Sequence, residues 1–154
     1  MGTILVVSDS HGNHVKLKRI IARAYPFEYL VHCGDGVSDL FHVDIPEGVT
    51  VVRVSGNVDL GRCPDMERIA MVEAGPARLM VAHGDLFGVH TEYGRIEREG
   101  RNRRVDAVLF GHTHIAYHRD GKPVLFNPGP ANTGMYGLVS FGNSLGFAHG
   151  RIED

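Results

Sequence analysis

Five times along this chain a short apolar run of strand type stops abruptly at a glycine beside a carboxylate, an amide or an imidazole, and no other feature constrains the fold as much. Thr3 to Val7 stops at Ser8-Asp9-Ser10-His11-Gly12, and Tyr29 to Val31 leads into His32-Cys33-Gly34-Asp35-Gly36. Val49 to Val54 leads into Ser55-Gly56-Asn57-Val58-Asp59, Leu79 to Ala82 into His83-Gly84-Asp85, and about Val105 to Phe110 into Gly111-His112-Thr113-His114. Runs that are apolar without alternation are strands buried on both faces, so each sheet needs a layer on either side. The first such layer is a helix. Val15, Leu17, Ile20, Ile21 and Ala24 form its apolar stripe, Lys16, Lys18, Arg19 and Arg23 lie outside, and Pro26 ends it. Val89, Tyr93 and Ile96 predict a second helix over about His90 to Glu99. Ile69 to Val72 and Leu79 to Ala82 flank the turn residues Glu73-Ala74-Gly75-Pro76 and read as a hairpin. Ala116 to Arg119, Val124 to Asn127, Leu138 to Phe141 and Leu145 to His149 read as short antiparallel strands. Early strands joined by helices and late hairpins predict an α/β sandwich with mixed sheets. With no repeat or linker, residues 1–154 are expected to form one domain.

Composition narrows the function classes. Sixteen Lys and Arg against eighteen Asp and Glu give a formal charge of -2, which argues against a protein built to hold nucleic acid by its backbone. The N-terminal apolar run, Ile4 to Val7, is too short for a signal peptide or a membrane span, and Val6 stands where a myristoylation signal wants Ser or Thr. Cys33 and Cys63 suit a reducing compartment. A soluble, cytoplasmic protein without a membrane partner is expected. Glycine, at 20 of 154 residues, is nearly twice its average share of about 7%, and the ten histidines need an explanation.

Ligands of open α/β sheets bind outside the carboxyl ends of the strands. The five ends carry Asp9 and His11, Asp35, Asn57, His83, and the pair His112 and His114. Seven oxygen and nitrogen donors are too many for one tetrahedral ion, and they suit two ions that share a bridging carboxylate. Carboxylate, imidazole and amide without thiolate favour manganese, with iron, zinc or nickel as the other divalent ions to test. His14, His32, His42, His90, His118 and His149 are assigned instead to surface or core.

In order, Ser8-Asp9-Ser10-His11-Gly12, Gly34-Asp35-Gly36, Gly56-Asn57-Val58-Asp59, His83-Gly84 and Gly111-His112-Thr113-His114 resemble the five blocks of the calcineurin-like metallophosphoesterases, in particular their small single-domain bacterial and archaeal phosphodiesterase branch. The resemblance implies a four-layer αββα sandwich, two mixed β-sheets flanked by helices. It also implies one dinuclear centre, with Asp9, His11, Asp35 and His114 on the first ion and Asp35, Asn57, His83 and His112 on the second. A hydroxide shared by the ions would then attack a phosphodiester in line. Two departures are visible. Val58 occupies the position where many phosphomonoesterases of the superfamily carry a histidine that protonates the leaving group, which favours diesters. Asn127-Pro128-Gly129-Pro130 is followed by Ala131-Asn132-Thr133-Gly134, without the Ser and Pro-Arg that relatives typically show.

Two other functions compete. The retromer's small subunit resembles the same fold and serves mainly to bind partners, with an incomplete metal site, whereas every ligand position is filled here. Arg95, Arg98, Arg101, Arg103 and Arg104 suggest a nuclease acting on single-stranded nucleic acid, with Tyr93, Tyr117 and Tyr136 stacking bases. The interleaved Glu92, Glu97 and Glu99 favour a salt-bridged solvated face instead, and packing suits the tyrosines. Cys63 has no neighbour that would make it a nucleophile, and residues beyond 115 are left free to join copies into a homo-oligomer.

Overall fold

In the computed structural model, which describes residues 1–153, the elements follow one another as β1 (Gly2–Val7), α1 (His14–Ala24), β2 (Tyr29–His32), β3 (Thr50–Arg53), β4 (Ile69–Ala74), β5 (Ala77–Ala82), α2 (Gly94–Asn102), β6 (Ala107–Leu109), β7 (Tyr117–Arg119), β8 (Val124–Asn127), β9 (Met135–Phe141) and β10 (Gly146–Arg151). They build two five-stranded sheets, ordered β10-β9-β1-β2-β3 and β4-β5-β6-β8-β7. Both are mixed. In the first, β1, β2 and β3 run parallel while β9 and β10 return antiparallel. In the second, β5, β6 and β8 run parallel between the antiparallel edges β4 and β7.

The period of two along each central strand divides the core into three apolar layers. Ile4, Val6, Val31, Leu79, Val81, Leu109 and Phe126 meet between the sheets. Leu5, Val7 and Leu30 face outward onto Leu17, Ile20 and Ile21 of α1, while Met80, Val108 and Leu125 face outward onto Ile96 of α2. The order of layers is therefore helix, sheet, sheet, helix, and the parallel strands of both sheets are apolar throughout because both of their faces are covered. Asn13 caps α1 by accepting the Lys16 N–H at 3.1 Å.

The second helix begins later than its apolar spacing predicts, at Gly94 rather than near His90. Gly88 has φ +62, and its carbonyl accepts the N–H groups of Thr91 and Glu92, so residues 88–92 close a turn that the helix cannot absorb. β6 is shorter than expected and spans Ala107–Leu109: Asp106 N–H still bonds across to Arg78 O of β5, whereas Val105 N–H bonds back to Gly100 O at the end of α2. β10 extends to Arg151, beyond the expected end at His149. No described helix is long and apolar enough to cross a membrane.

Candidate metal centre

The carboxyl ends of five strands meet at one edge of the sandwich. Asp9 and His11 follow β1, Asp35 follows β2, Asn57 follows β3, His83 follows β5, and His112 and His114 follow β6. Two groups of donors form there: Asp9, His11 and His114, and Asp35, His83 and His112, with the donor atoms of each group within 4.8 Å of one another. His11 Nε2 also lies 3.9 Å from Asp35 Oδ2, so the two groups adjoin through Asp35. Asn57 opens the 3-10 turn Asn57–Gly61 beside Asp35, whose Oδ1 accepts the Val58 N–H at 2.9 Å. Of the seven residues expected at the site, six thus lie in two adjoining clusters and the seventh flanks them.

Among the six non-glycine residues described with left-handed backbone, five are Asp9, His11, Asp35, His112 and His114. Such conformations cost of order 1–3 kcal/mol each for ordinary residues and persist only where the surroundings enforce them. Here the enforcing bonds are visible. Asp9 N–H bonds to Gly34 O, His11 N–H to Asp35 O, and His112 N–H to Asp9 Oδ2, tying the loops after β1, β2 and β6 together.

The donor atoms suit a cation. Asp9 Oδ2 accepts Ser8 Oγ–H at 2.6 Å, but Asp9 Oδ1 is buried and accepts no hydrogen bond from the described residues. His114 Nε2 and His11 Nε2 lie 3.1 and 3.3 Å from that oxygen without aiming an N–H at it. A buried, unpartnered carboxylate oxygen costs on the order of 1–3 kcal/mol or more, and a shared cation removes that cost. The tautomer of His83 follows from its partners: Nδ1 lies 2.9 Å from the Cys33 carbonyl, which only accepts, so Nδ1 carries the proton and Nε2 is left to face Asp35 Oδ2 at 3.1 Å. Burial alone would lower the His83 pKa, but the contact with Asp35 and the charges of Asp9 and Asp35 raise it overall. Burial likewise opposes ionisation of Asp35, yet His83 and the Val58 N–H hold it below the usual carboxylate range. His112 is pushed down by burial and by His83 and His90. A divalent ion bound between these residues would compensate the same carboxylates.

Several bracing residues escaped the reading of the sequence. Asp59 is buried, and its carboxylate accepts four backbone N–H groups, from Asp35 (2.7 Å), Gly36 (2.9 Å), Val37 (3.2 Å) and Gly56 (2.8 Å). It clamps the loop after β2 to the loop after β3. His32, one of the histidines assigned to surface or core, is fully buried and accepts Gly34 N–H through Nδ1, so Nε2–H donates to Ser10 Oγ, whose own proton goes to Gly36 O. The Asn127-Pro128-Gly129-Pro130 departure has a local role: Asn127 Nδ2 donates to Gly111 O and Thr113 Oγ1, while Ala131 and Asn132 N–H groups hold the carbonyls of Ser8 and Asp9. His90 is exposed, with its ring centroid 4.2 Å from that of His112. Only its place in the turn after Gly88 could have signalled this.

The arginines suggested for nucleic acid are largely engaged. Arg101 and Arg103 pair with Glu97 and Glu99 at 3.4 and 2.7 Å, and Arg95 reaches Leu86 O. Tyr93 packs against Phe110 and Tyr117, and Tyr136 is buried beneath α1. Cys63 is half-buried and packs against the same core, as expected of a structural thiol.

Two mixed sheets with clustered Asp and His at their carboxyl ends define a class of metal-dependent hydrolases, and the comparisons place the chain within it. The calcineurin-like phosphoesterase superfamily domain matches residues 3–142, and the chain belongs to that family. It is 31% identical over 129 residues to the probable metallophosphoesterase YsnB of Bacillus subtilis (strain 168), covering 82% of this chain and 73% of that protein. The fold is similar to that of a structurally characterised archaeal phosphodiesterase, with a TM-score of 0.77 at 17% identity, covering 97% of this chain and 99% of the other. It is also similar to wild-type Vps29 of Entamoeba histolytica complexed with Zn2+, with a TM-score of 0.72 at 16% identity, covering 97% and 98%.

Proposed function

We propose that this chain hydrolyses phosphodiesters at a dinuclear metal centre. The observation that carries this reading is the convergence of donors from both sheets around Asp9 Oδ1, a buried oxygen without a hydrogen bond from the described residues. Asp9, His11, Asp35 and His114 would hold one ion, and Asp35, Asn57, His83 and His112 the other, with manganese the ion this oxygen and nitrogen set favours. Two bound divalent ions supply water acidified enough to attack at neutral pH, together with charge that stabilises the phosphoryl oxygens. The chain does the positioning. The Cys33 carbonyl fixes His83 in one tautomer, Ser8 and the His112 N–H orient Asp9, and Asp59 holds the backbone of Asp35. At Val58, 59% exposed, the chain presents an alkyl group with no proton to give a leaving alkoxide, so diesters with good leaving groups are the fitting substrates. The free thiols of Cys33 and Cys63 support a reducing, cytoplasmic location.

A scaffold reading is favoured by one observation: Phe41, Val58, Leu60, Leu86 and Ile115 are large exposed hydrophobics on segments that follow the strands bearing candidate ligands. The Vps29 relative carries Zn2+, so ion binding is compatible with either function, and turnover separates them. Purified protein with manganese should cleave bis(p-nitrophenyl) phosphate, EDTA should stop it, and His112→Ala should abolish turnover while leaving the circular dichroism of the protein intact. Equal turnover by wild type and variant sinks the assignment.

A further inference from the structure

We propose that Arg62 reads a second anionic group on the substrate, so that the preferred diester carries a phosphate or carboxylate on a substituent of the scissile phosphorus. This rests on the phosphodiesterase reading above. A cleft of about 220 Å³ is lined by the candidate ligand His11 together with Gly12, Ser38, Val58, Asp59 and Arg62. Pockets that enclose a whole ligand run to about 300–1,000 Å³, so this one holds a single substituent while the phosphoryl group stays on the ions. Gly12 leaves its side of the cleft unobstructed, since it is exposed and carries no side chain. Val58 supplies an apolar wall suited to a ring or alkyl spacer.

The charge balance then points to an anion. Asp59 is the one carboxylate lining the cleft, and its oxygens are taken by four backbone N–H groups. Arg62 forms no ion pair with any described carboxylate; Asp65 and Glu67 border the neighbouring cleft it shares with Arg53 and do not pair with it. Its backbone is fixed, with Arg62 N–H bonded to Asp59 O at 3.0 Å. The guanidinium is thus mounted on the same turn that clamps Asp35, and a carboxylate or phosphate accepts its paired N–H donors well.

The test compares phenyl p-nitrophenyl phosphate with 4-carboxyphenyl p-nitrophenyl phosphate, which release the same phenolate and differ in one remote charge. In the manganese-loaded wild type, the carboxylated diester should have a KM lower by about tenfold, more than an exposed ion pair gives and less than a fully buried bidentate one, with kcat within about twofold. Arg62→Ala should erase the difference, Arg62→Glu reverse it, and Arg62→Lys retain part of it. Binding of the corresponding non-hydrolysable phosphonates, measured by calorimetry, should show the same ratio of Kd values. A KM and Kd ratio near one in the wild type, or a ratio unchanged in Arg62→Ala, overturns the role of Arg62. Absence of turnover with the Kd ratio intact overturns the phosphodiesterase reading and leaves the anion site standing.

Discussion

The two sheets contribute unlike halves to the candidate centre. The first supplies both carboxylates, Asp9 and Asp35, whose side chains are 1% and 4% exposed and are held by Ser8 Oγ and by backbone N–H groups. The second supplies three of the four imidazoles, and its His114 is 48% exposed. Negative charge is thus buried and immobilised on one side, while most of the neutral nitrogen donors close over it from the other. A buried carboxylate pair is tolerable only with compensating charge or protons. Asp35 Oδ2 lies 3.1 Å from His83 Nε2 of the second sheet, a contact that raises the His83 pKa, and a cation held between the two groups of donors would compensate both carboxylates. The centre is therefore also a joint between halves that meet elsewhere mainly through the apolar layer between the sheets, with Tyr29 Oη–H on Glu73 O and His149 Nε2 against Asn127 O as polar contacts across it.

The largest effect should come from removing the carboxylate that adjoins both donor groups. Asp35→Ala is expected to lower diester turnover by about a thousandfold, the upper end of the range found when one electrostatic contact to the transition state is lost, because both ions would lose a ligand. It should also remove the stabilisation given by manganese. At a hundred times its Kd, an ion contributes about 2.7 kcal/mol, which for a chain of this size raises Tm by roughly 5–10 °C. Thermal scans with and without manganese check this. A wild-type Tm indifferent to the ion would mean that the halves do not need it.

Much of this division was legible in the sequence. The strand ends could be read because β1, β2, β5 and β6 lie at or near the centres of sheets covered on both faces, so their apolar runs are unbroken and stop where the polar edge begins. Asp59 could not be read as a clamp, although it stands in a recognisable block, because its partners Asp35, Gly36 and Val37 are 22 to 24 positions away and are backbone groups without a sequence signature. Asn127 was hidden for a similar reason: it acts on Gly111 and Thr113, residues that meet it only once β6 and β8 pair. Side chains that can ligate an ion announce themselves by type; side chains that brace backbone do not.

The first sheet's rigidity can be probed through His32, which sits completely buried behind the loop after β1. Burial lowers its pKa from 6.5 to about 4 against the opposing charges of Asp59, Asp9 and Asp39. The folded protein therefore holds this imidazole neutral where the unfolded chain protonates it. The stability it contributes is present above pH 6.5 and is lost as pH falls from 6.5 toward 4, by about 3 kcal/mol at 1.36 kcal/mol per pH unit. His83 carries the opposite sign, its raised pKa giving stability that is complete below its unfolded pKa and fades above it. Comparing wild type with His32→Asn in denaturant titrations at pH 7, 5.5 and 4.5 cancels the His83 contribution. The variant should be less stable at pH 7 and should lose less on acidification. Parallel pH curves would show that His32 does not titrate behind the site.

A smaller effect sharpens the seam itself, and two glycines separate room from backbone conformation. Gly111, after β6, is not among the described residues with left-handed backbone; a Cβ there would overlap Ser8 Oγ and come within 2.6 Å of Asp9 Oδ2. Its value is space for the two sheets to meet at Asp9. Gly12 is the converse, with φ +87 and nothing within 4 Å of an added Cβ. Gly12→Ala should cost about 1 kcal/mol through backbone strain and leave manganese affinity within about twofold. Gly111→Ala should cost about 2 kcal/mol, since an inserted methyl forces Ser8 aside, and Ser8 Oγ–H orients Asp9 at 2.6 Å. Its manganese affinity should fall by about tenfold, which calorimetric titration of the folded variant reads directly. If the two alanine variants lost affinity equally, the seam would have no special hold on the carboxylate, and the joint between the halves would have to lie deeper, in the apolar layer of Val6, Val81 and Leu109.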